Sequence, residues 1–309
     1  MTLAFDLVLC SLLIACAVAA VSGRDLFASI AFFIVYGFLA AIAWISLGAI
    51  DVALAEAAIG TGITGVLLIG AWRALRDAGD PEGDDHLPLA TRLTAGLACL
   101  VLAAGLGAAV LALPDSAGLF QEAERNREAL GLGNPVTAVL LGFRGYDTLL
   151  ETMVLTLALV AVWSLTREDV WGGRPREAAP VRHGGVMENF GRLLPAIGVL
   201  AGVYLVWAGA DAPGGAFQAG TVLAAMWILI VLAGRRDEPR IASPAARVPV
   251  AAGPVVFVAI ALAGAALGAP LSYPEDWAKP AIVLVEYTLT LSIAAILALL
   301  VAGPARRAA

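Results

Sequence analysis

Seven side chains in this sequence set charge into an apolar context: Asp51, Glu56, Arg144, Asp147, Glu151, Asp211 and Glu286. A charged group carried to the middle of a bilayer costs about 2.5–3.5 kcal/mol on insertion scales unless it is neutralised, paired or hydrated. Each acid in a membrane span is therefore a candidate for proton or cation handling. Asp51 and Glu56 open the run IDVALAEAAIGTGITG. At helical spacing they stand about 140° apart and do not share a face. Asp51, at the start of the run, reads as a helix N-cap, a place aspartate fills by accepting backbone N–H groups. Glu56 lies more than a turn deeper, with Gly60 and Thr64 following at four-residue steps, small residues that let a neighbouring helix come close.

Arg144, Asp147 and Glu151 fall on one stripe of a continuous helix, where the guanidinium neutralises one of the acids. The stripe suits an ion pair that fixes the start of a span, and equally a proton or sodium relay through Glu151. Glu286 sits in PAIVLVEYTLT beside Tyr287, with no basic residue near it in sequence. Asp211 occupies the turn WAGADAPGGAFQAG, where Pro213 and the two glycines after it demand an unusual backbone. A capping or solvated aspartate and a cation ligand are both open readings of it.

The elements that must hold these groups follow from composition. The 309 residues are 61% hydrophobic and 14% charged, with a mean hydropathy of +0.89, more apolar side chain than one water-soluble core can hide. Apolar runs rich in Leu, Ala, Val and Gly approach the roughly 20 residues needed to cross hydrocarbon, without the two-residue alternation of a barrel strand. The expected fold is all-α and polytopic, with about nine spans near 4–22, 27–48, 52–72, 93–113, 147–166, 191–208, 216–234, 249–268 and 281–302. The first run has no basic residue before it and no polar domain after it, so it reads as a span rather than a signal peptide. Cys10, Cys16 and Cys99 lie inside apolar runs as small hydrophobes. His86 and His183 are the two histidines and both fall in polar loops, so no bis-histidine haem or His-rich metal site is expected. No catalytic residue, cofactor or metal is assigned, and redox chemistry, if any, belongs to a partner.

Orientation follows from the arginines. With the N-terminus outside, 15 of the 19 basic residues fall in cytoplasmic segments: Arg24, the group from Arg73 to Arg92, five between 167 and 192, four between 235 and 247, and Arg306 with Arg307. Arg125, Arg127, Arg144 and Lys279 remain outside, and the bias predicts N-out and C-in. Linkers at 73–92, rich in Asp and Glu, and at 167–190 divide the chain. Residues 114–146 are too polar to span, and the apolar stretch Val136 to Phe143, with Pro135 near its start and Gly145 near its end, predicts a helix lying at the outer interface. Trp72, Trp163, Trp171, Trp207 and Trp277 fall near span ends as interfacial anchors.

At these residues the sequence resembles the Mrp-type multisubunit Na+/H+ antiporters and the related membrane arms of membrane-bound hydrogenases. DVALAEAAIGTGITGVLL (51–68) resembles the hydrogenase-type MbhD module at the C-terminal end of the large A subunit. NPVTAVLLGFRGYDTLLETMVL (134–155) resembles the MbhE-like module after it, and RLLPAIGVLAGVYLVWAGADAPGGAFQAG (192–220) resembles the MnhB or MrpB subunit. The sequence departs from the family pattern where Gly142 stands for an aspartate, Leu150 for a glycine, Ala210 for the turn histidine and Asp211 for the asparagine. No proton role belonging to that histidine carries over.

The resemblance implies three modules: 1–75 with three helices, 76–170 with two and an outer amphipathic segment, and 171–309 with four. It matches the family's acidic positions to Asp51, Glu56, Asp147 and Glu151, with Glu286 near an acidic position of the last span. It implies a multi-pass subunit in the cell's inner (cytoplasmic) membrane, working beside other membrane subunits on Na+ and H+, with no nucleic acid and no cofactor. The alternatives are an ion-translocating subunit of a complex I-related or hydrogenase-type respiratory complex, and a structural scaffold.

Overall fold

The computed structural model describes residues 3–23, 25–77, 79, 88–113, 118–175 and 185–305. Arg24, Arg176, Arg182, Arg306, Arg307, both histidines and the acids Asp80, Glu82, Asp84 and Asp85 lie outside these residues.

Long apolar runs form long helices: α1 (Leu3–Ser22), α2 (Leu26–Ser46), α3 (Ile50–Asp77) and α4 (Leu89–Ala112). After the short polar helix α5 (Phe120–Arg127) comes α6 (residues 135–143). Then follow α7 (Gly145–Ser164), α8 (Val186–Ala208), α9 (Ala216–Leu232), α10 (Pro244–Leu267) and α11 (Ala278–Ala302). Among the described residues there is no strand, and eight helices are long and apolar enough to cross a membrane. The seventh predicted span is the shorter apolar helix α9.

The bundle is organised around α11, whose Ile282, Val285, Leu289 and Ile293 are fully buried against α7, α9 and α10. Small residues set the spacing. Along α8, Gly191, Gly198 and Gly202 leave no room for a Cβ, because Ala233, Met226 and Leu223 of the α9 side fill it. Gly220 of α9 likewise yields to Ile293, which stands 2.7 Å from where its Cβ would be.

In α10, Pro249 and Pro254 interrupt the backbone ladder. Ser292 of α11 inserts there, its hydroxyl accepting from Gly253 N (2.7 Å) and donating to Pro249 O (2.7 Å). By contrast, α1 and α2 pair mainly with each other and with α3, and none of α4 is buried among the described residues.

Helix α6 starts as the sequence predicts, with Pro135 in its first turn and the Asn134 side chain capping it by accepting Val136 N (2.8 Å). Thr137, Ala138 and Leu141 turn inward, the latter two into the cluster around Ile282 and Leu289, while Leu140 and Phe143 stay exposed, so α6 packs on the bundle through one face. Its last turns are π-helical and break at Arg144 (φ −127°, ψ 36°), where α7 begins.

The loops sort by end. Arg73, Arg174 and Arg240 meet around one cavity of about 890 Å³, and Arg174 pairs there with Asp237. Gly133, Asp211 and Lys279 meet at the other end.

Candidate functional site

The turn after α8 doubles back on its own helix, with Gly215 N donating to Leu205 O (2.9 Å) and Ala212 N to Ala208 O (2.8 Å). Gly214 (φ +156°) and Gly215 (φ +118°) adopt backbone that side chains resist. A Cβ on Gly209 would stand 2.6 Å from Gly215 Cα, so glycine is required by packing as well.

This turn is where three distant parts of the chain are tied together. From the loop before α6, Gly133 N and Asn134 N both donate to Ala210 O (2.9 and 3.0 Å), and Asn134 Nδ2 donates to Ala212 O (3.0 Å). Thr137 Oγ1 donates to Gly209 O (2.6 Å). From α3, Asp51 Oδ1 accepts Gly214 N (2.9 Å), with Asn134 Nδ2 at 3.4 Å, and Gln218 Nε2 of α9 donates to Asp51 O (3.2 Å). The N-cap expectation for Asp51 is therefore corrected. The residue lies inside the first turn of α3, is buried, and spends its carboxylate on the α8–α9 turn.

On the rim, Lys279 Nζ reaches both oxygens of Asp211 (2.7 and 2.8 Å), and Asp211 Oδ1 also accepts Gly133 N (3.1 Å). The Lys279 ammonium holds the Asp211 carboxyl below the usual carboxylate range. Asp211 is thus ion-paired on the rim, with a partner that neither reading from sequence named.

Behind the turn lies Glu286. It is 3% exposed, its Oε1 is 3.1 Å from where a Cβ of Gly215 would be, and its Oε2 has no hydrogen-bond partner among the described residues. Two buried carboxyl groups thus flank the same turn, Asp51 bonded to Gly214 N and Glu286 behind Gly215.

The other predicted residues stand elsewhere. Glu56 begins a π-helical stretch of α3 (Glu56–Ile63) and is half-buried, its carboxylate facing Gly37 of α2 and itself filling the space at Gly60 where a neighbouring helix was expected to approach. Arg144 and Asp147 form an ion pair at the start of α7. Glu151 is on the same helix but on a face this chain leaves open.

Sequence reasoning singled out Asp51, Asp211 and Glu286 without joining them, and it missed Asn134, Thr137, Gln218 and Thr61. The Asn134–Pro135 pair carries a local capping signal. Thr137 and Gln218 bond to backbone far away in sequence, which leaves no local trace.

Two family models match this chain: MbhD, the D component of MBH, over residues 11–77, and the domain related to the MnhB subunit of Na+/H+ antiporter, over residues 186–304. Among solved structures, a chain of the Mrp complex from Dietzia sp. superposes with a TM-score of 0.73 at 25% identity, covering 95% of this chain and 34% of that one. A chain of the membrane-bound sulfane sulfur reductase, an archaeal respiratory membrane complex, gives a TM-score of 0.56 at 23% identity, covering 69% of this chain and 99% of that one, and shares the fold. An uncharacterized protein of Methanocaldococcus jannaschii is 31% identical over 120 residues, which are 34% of this chain and 46% of that protein. The chain thus spans under half of that relative and about a third of the Mrp chain. It is a multi-pass, all-α membrane protein in which a stretch similar to MbhD and a stretch similar to the MnhB-related domain lie on one polypeptide.

Proposed function

We propose that this chain is a subunit of a multisubunit Na+/H+ antiporter of Mrp type in the inner (cytoplasmic) membrane, oriented N-out and C-in, and that it contributes carboxylates to the ion route. The modules are taken as 1–75, 76–170 and 171–309, and the subunit acts as a transporter component without a cofactor. The observation that carries the reading is Glu286, a buried carboxyl group with one oxygen unpartnered, set beside Asp51 where the three stretches meet. An acid kept in such a setting exchanges a proton rather than holding a fixed charge. Glu56 extends the route through α3, Asp147 and Arg144 stand at the start of α7, and Glu151 reaches the boundary with a neighbouring membrane subunit.

Na+-driven proton movement in everted vesicles containing the assembled complex tests this. Glu286→Gln is expected to abolish antiport at unchanged subunit levels, and full antiport in that variant leaves only the scaffold role. The match to MbhD favours a second reading, in which the same subunit serves a redox-driven complex. Iron–sulfur or hydrogenase subunits co-purifying in mild detergent would select it.

A further inference from the structure

Among buried or half-buried threonines, Thr64, Thr152, Thr156, Thr221 and Thr290 each return their hydroxyl to a backbone carbonyl four or five residues earlier. Thr61 does not. It is 2% exposed, and its Oγ1 has no hydrogen-bond partner among the described residues. An orphaned buried hydroxyl costs about 1–3 kcal/mol, so its position calls for something to bind.

The hydroxyl is aimed at Gly37 of α2. A Cβ there would collide with Thr61 Oγ1 and stand 3.4 Å from Glu56 Oε1. The two oxygens therefore converge on the space that the missing side chain leaves, and no hydrogen bond to the Glu56 carboxylate is present among the described residues. Both belong to the π-helical stretch Glu56–Ile63, a departure from α-helix that recurs at functional sites because it loosens the regular backbone pairing.

We propose that Glu56 and Thr61, across from Gly37, form a binding site for one monovalent alkali cation, of the Na+ class, between α2 and α3. The ligand set argues for that charge. One carboxylate and one neutral hydroxyl balance a single positive charge, whereas divalent ions draw on several carboxylates. Among the described residues no cluster of three acidic, His or Cys side chains exists for one. Glycine at position 37 keeps the space open. The proposal rests on the ion-route reading above and names a binding station within it.

The test uses the full chain purified in its complex, in detergent, with sodium exchanged for choline at constant ionic strength. Equilibrium binding of radioactive Na+ is measured for the wild type and for Glu56→Gln, Thr61→Val, Thr61→Ser and Gly37→Ala. Thermal unfolding with and without Na+ gives a second readout. Thr61→Val and Gly37→Ala are expected to weaken Na+ binding at least about tenfold, and Thr61→Ser to stay within about threefold, because it keeps the hydroxyl. Glu56→Gln is expected to remove binding and the Na+-dependent rise in unfolding temperature. Unchanged Na+ affinity in Thr61→Val and Gly37→Ala overturns the site. Site and function fail separately: if Glu286→Gln keeps full antiport while Thr61→Val loses Na+ binding, the cation site stands and the antiporter role of Glu286 falls.

Discussion

Removing the Asp51 carboxylate tests whether the junction is a clip rather than a coincidence of loops. Its Oδ1 is the acceptor for Gly214 N at 2.9 Å, and Gly214 is buried. A hydrogen bond to a charged acceptor contributes about 1.5–3 kcal/mol, and a buried donor left unmet costs about 1–3. One feature lowers the expected loss: Asn134 Nδ2 keeps Ala212 O at 3.0 Å. Asp51→Ala should therefore cost about 2–3 kcal/mol in local opening of the turn. Asp51→Asn still offers Gly214 an oxygen and should cost about 1 kcal/mol or less. Hydrogen exchange read by mass spectrometry on peptides covering residues 205–218 reports this directly. Protection of the turn should fall about 30- to 140-fold in Asp51→Ala and less than about tenfold in Asp51→Asn. Equal losses in the two variants would mean that charge, not the acceptor, holds the turn. No loss in Asp51→Ala would refute the clip.

The Asp211–Lys279 pair predicts a pH dependence. Its partners are 58% and 39% exposed, so it is worth at most about 1 kcal/mol. Because Lys279 depresses the Asp211 carboxyl in the folded state, the stabilisation is fully present at neutral pH and is lost as pH falls below about 4. Lys279→Met should lower the unfolding temperature at neutral pH, and the gap to the wild type should narrow as pH falls below about 4; a gap that does not narrow in acid would refute it. At Ser292, alanine should cost only about 1 kcal/mol, because Gly253 N and Pro249 O stand four apart in α10 and can close the ladder bond on each other. Ser292→Val should cost more, about 1–3 kcal/mol, since the serine hydroxyl is already only 2.8 Å from where a Cβ of Gly253 would be. Thermal scans that rank the two variants the other way would sink that account.

The spans were legible because hydropathy is a direct record of which segments meet lipid. Runs expected at 216–234 and 281–302 appear as Ala216–Leu232 and Ala278–Ala302. The buried acid of the last span was legible for the same reason, since Glu286 stands within that run. The clip was not. Asp51 meets Gly214 across 163 positions, and Thr137 meets Gly209 across 72, through backbone groups that every residue type supplies. An aspartate before an apolar run carries the same local signal whether it caps its own helix or holds a distant turn, which is why the N-cap expectation failed. The π-helical stretches at Glu56–Ile63 and Ala138–Phe143 are set by what packs against them, and no periodicity announces them.

The clip and the open faces together argue for how the parts divide their work. At one end, α3, α6 and the α8–α9 turn are locked by short hydrogen bonds, so the buried acids Asp51 and Glu286 sit in a frame that does not need a neighbour to form. On the outside the balance reverses. Glu151 is exposed on α7, and among the described residues none of α4 is buried. A carboxylate turned toward lipid costs about 2.5–3.5 kcal/mol near the bilayer centre, whereas the same group against a polar surface of another subunit costs far less. On the proposed reading, the interior acids form a station fixed by this subunit, and Glu151 is the position where the route passes to the next.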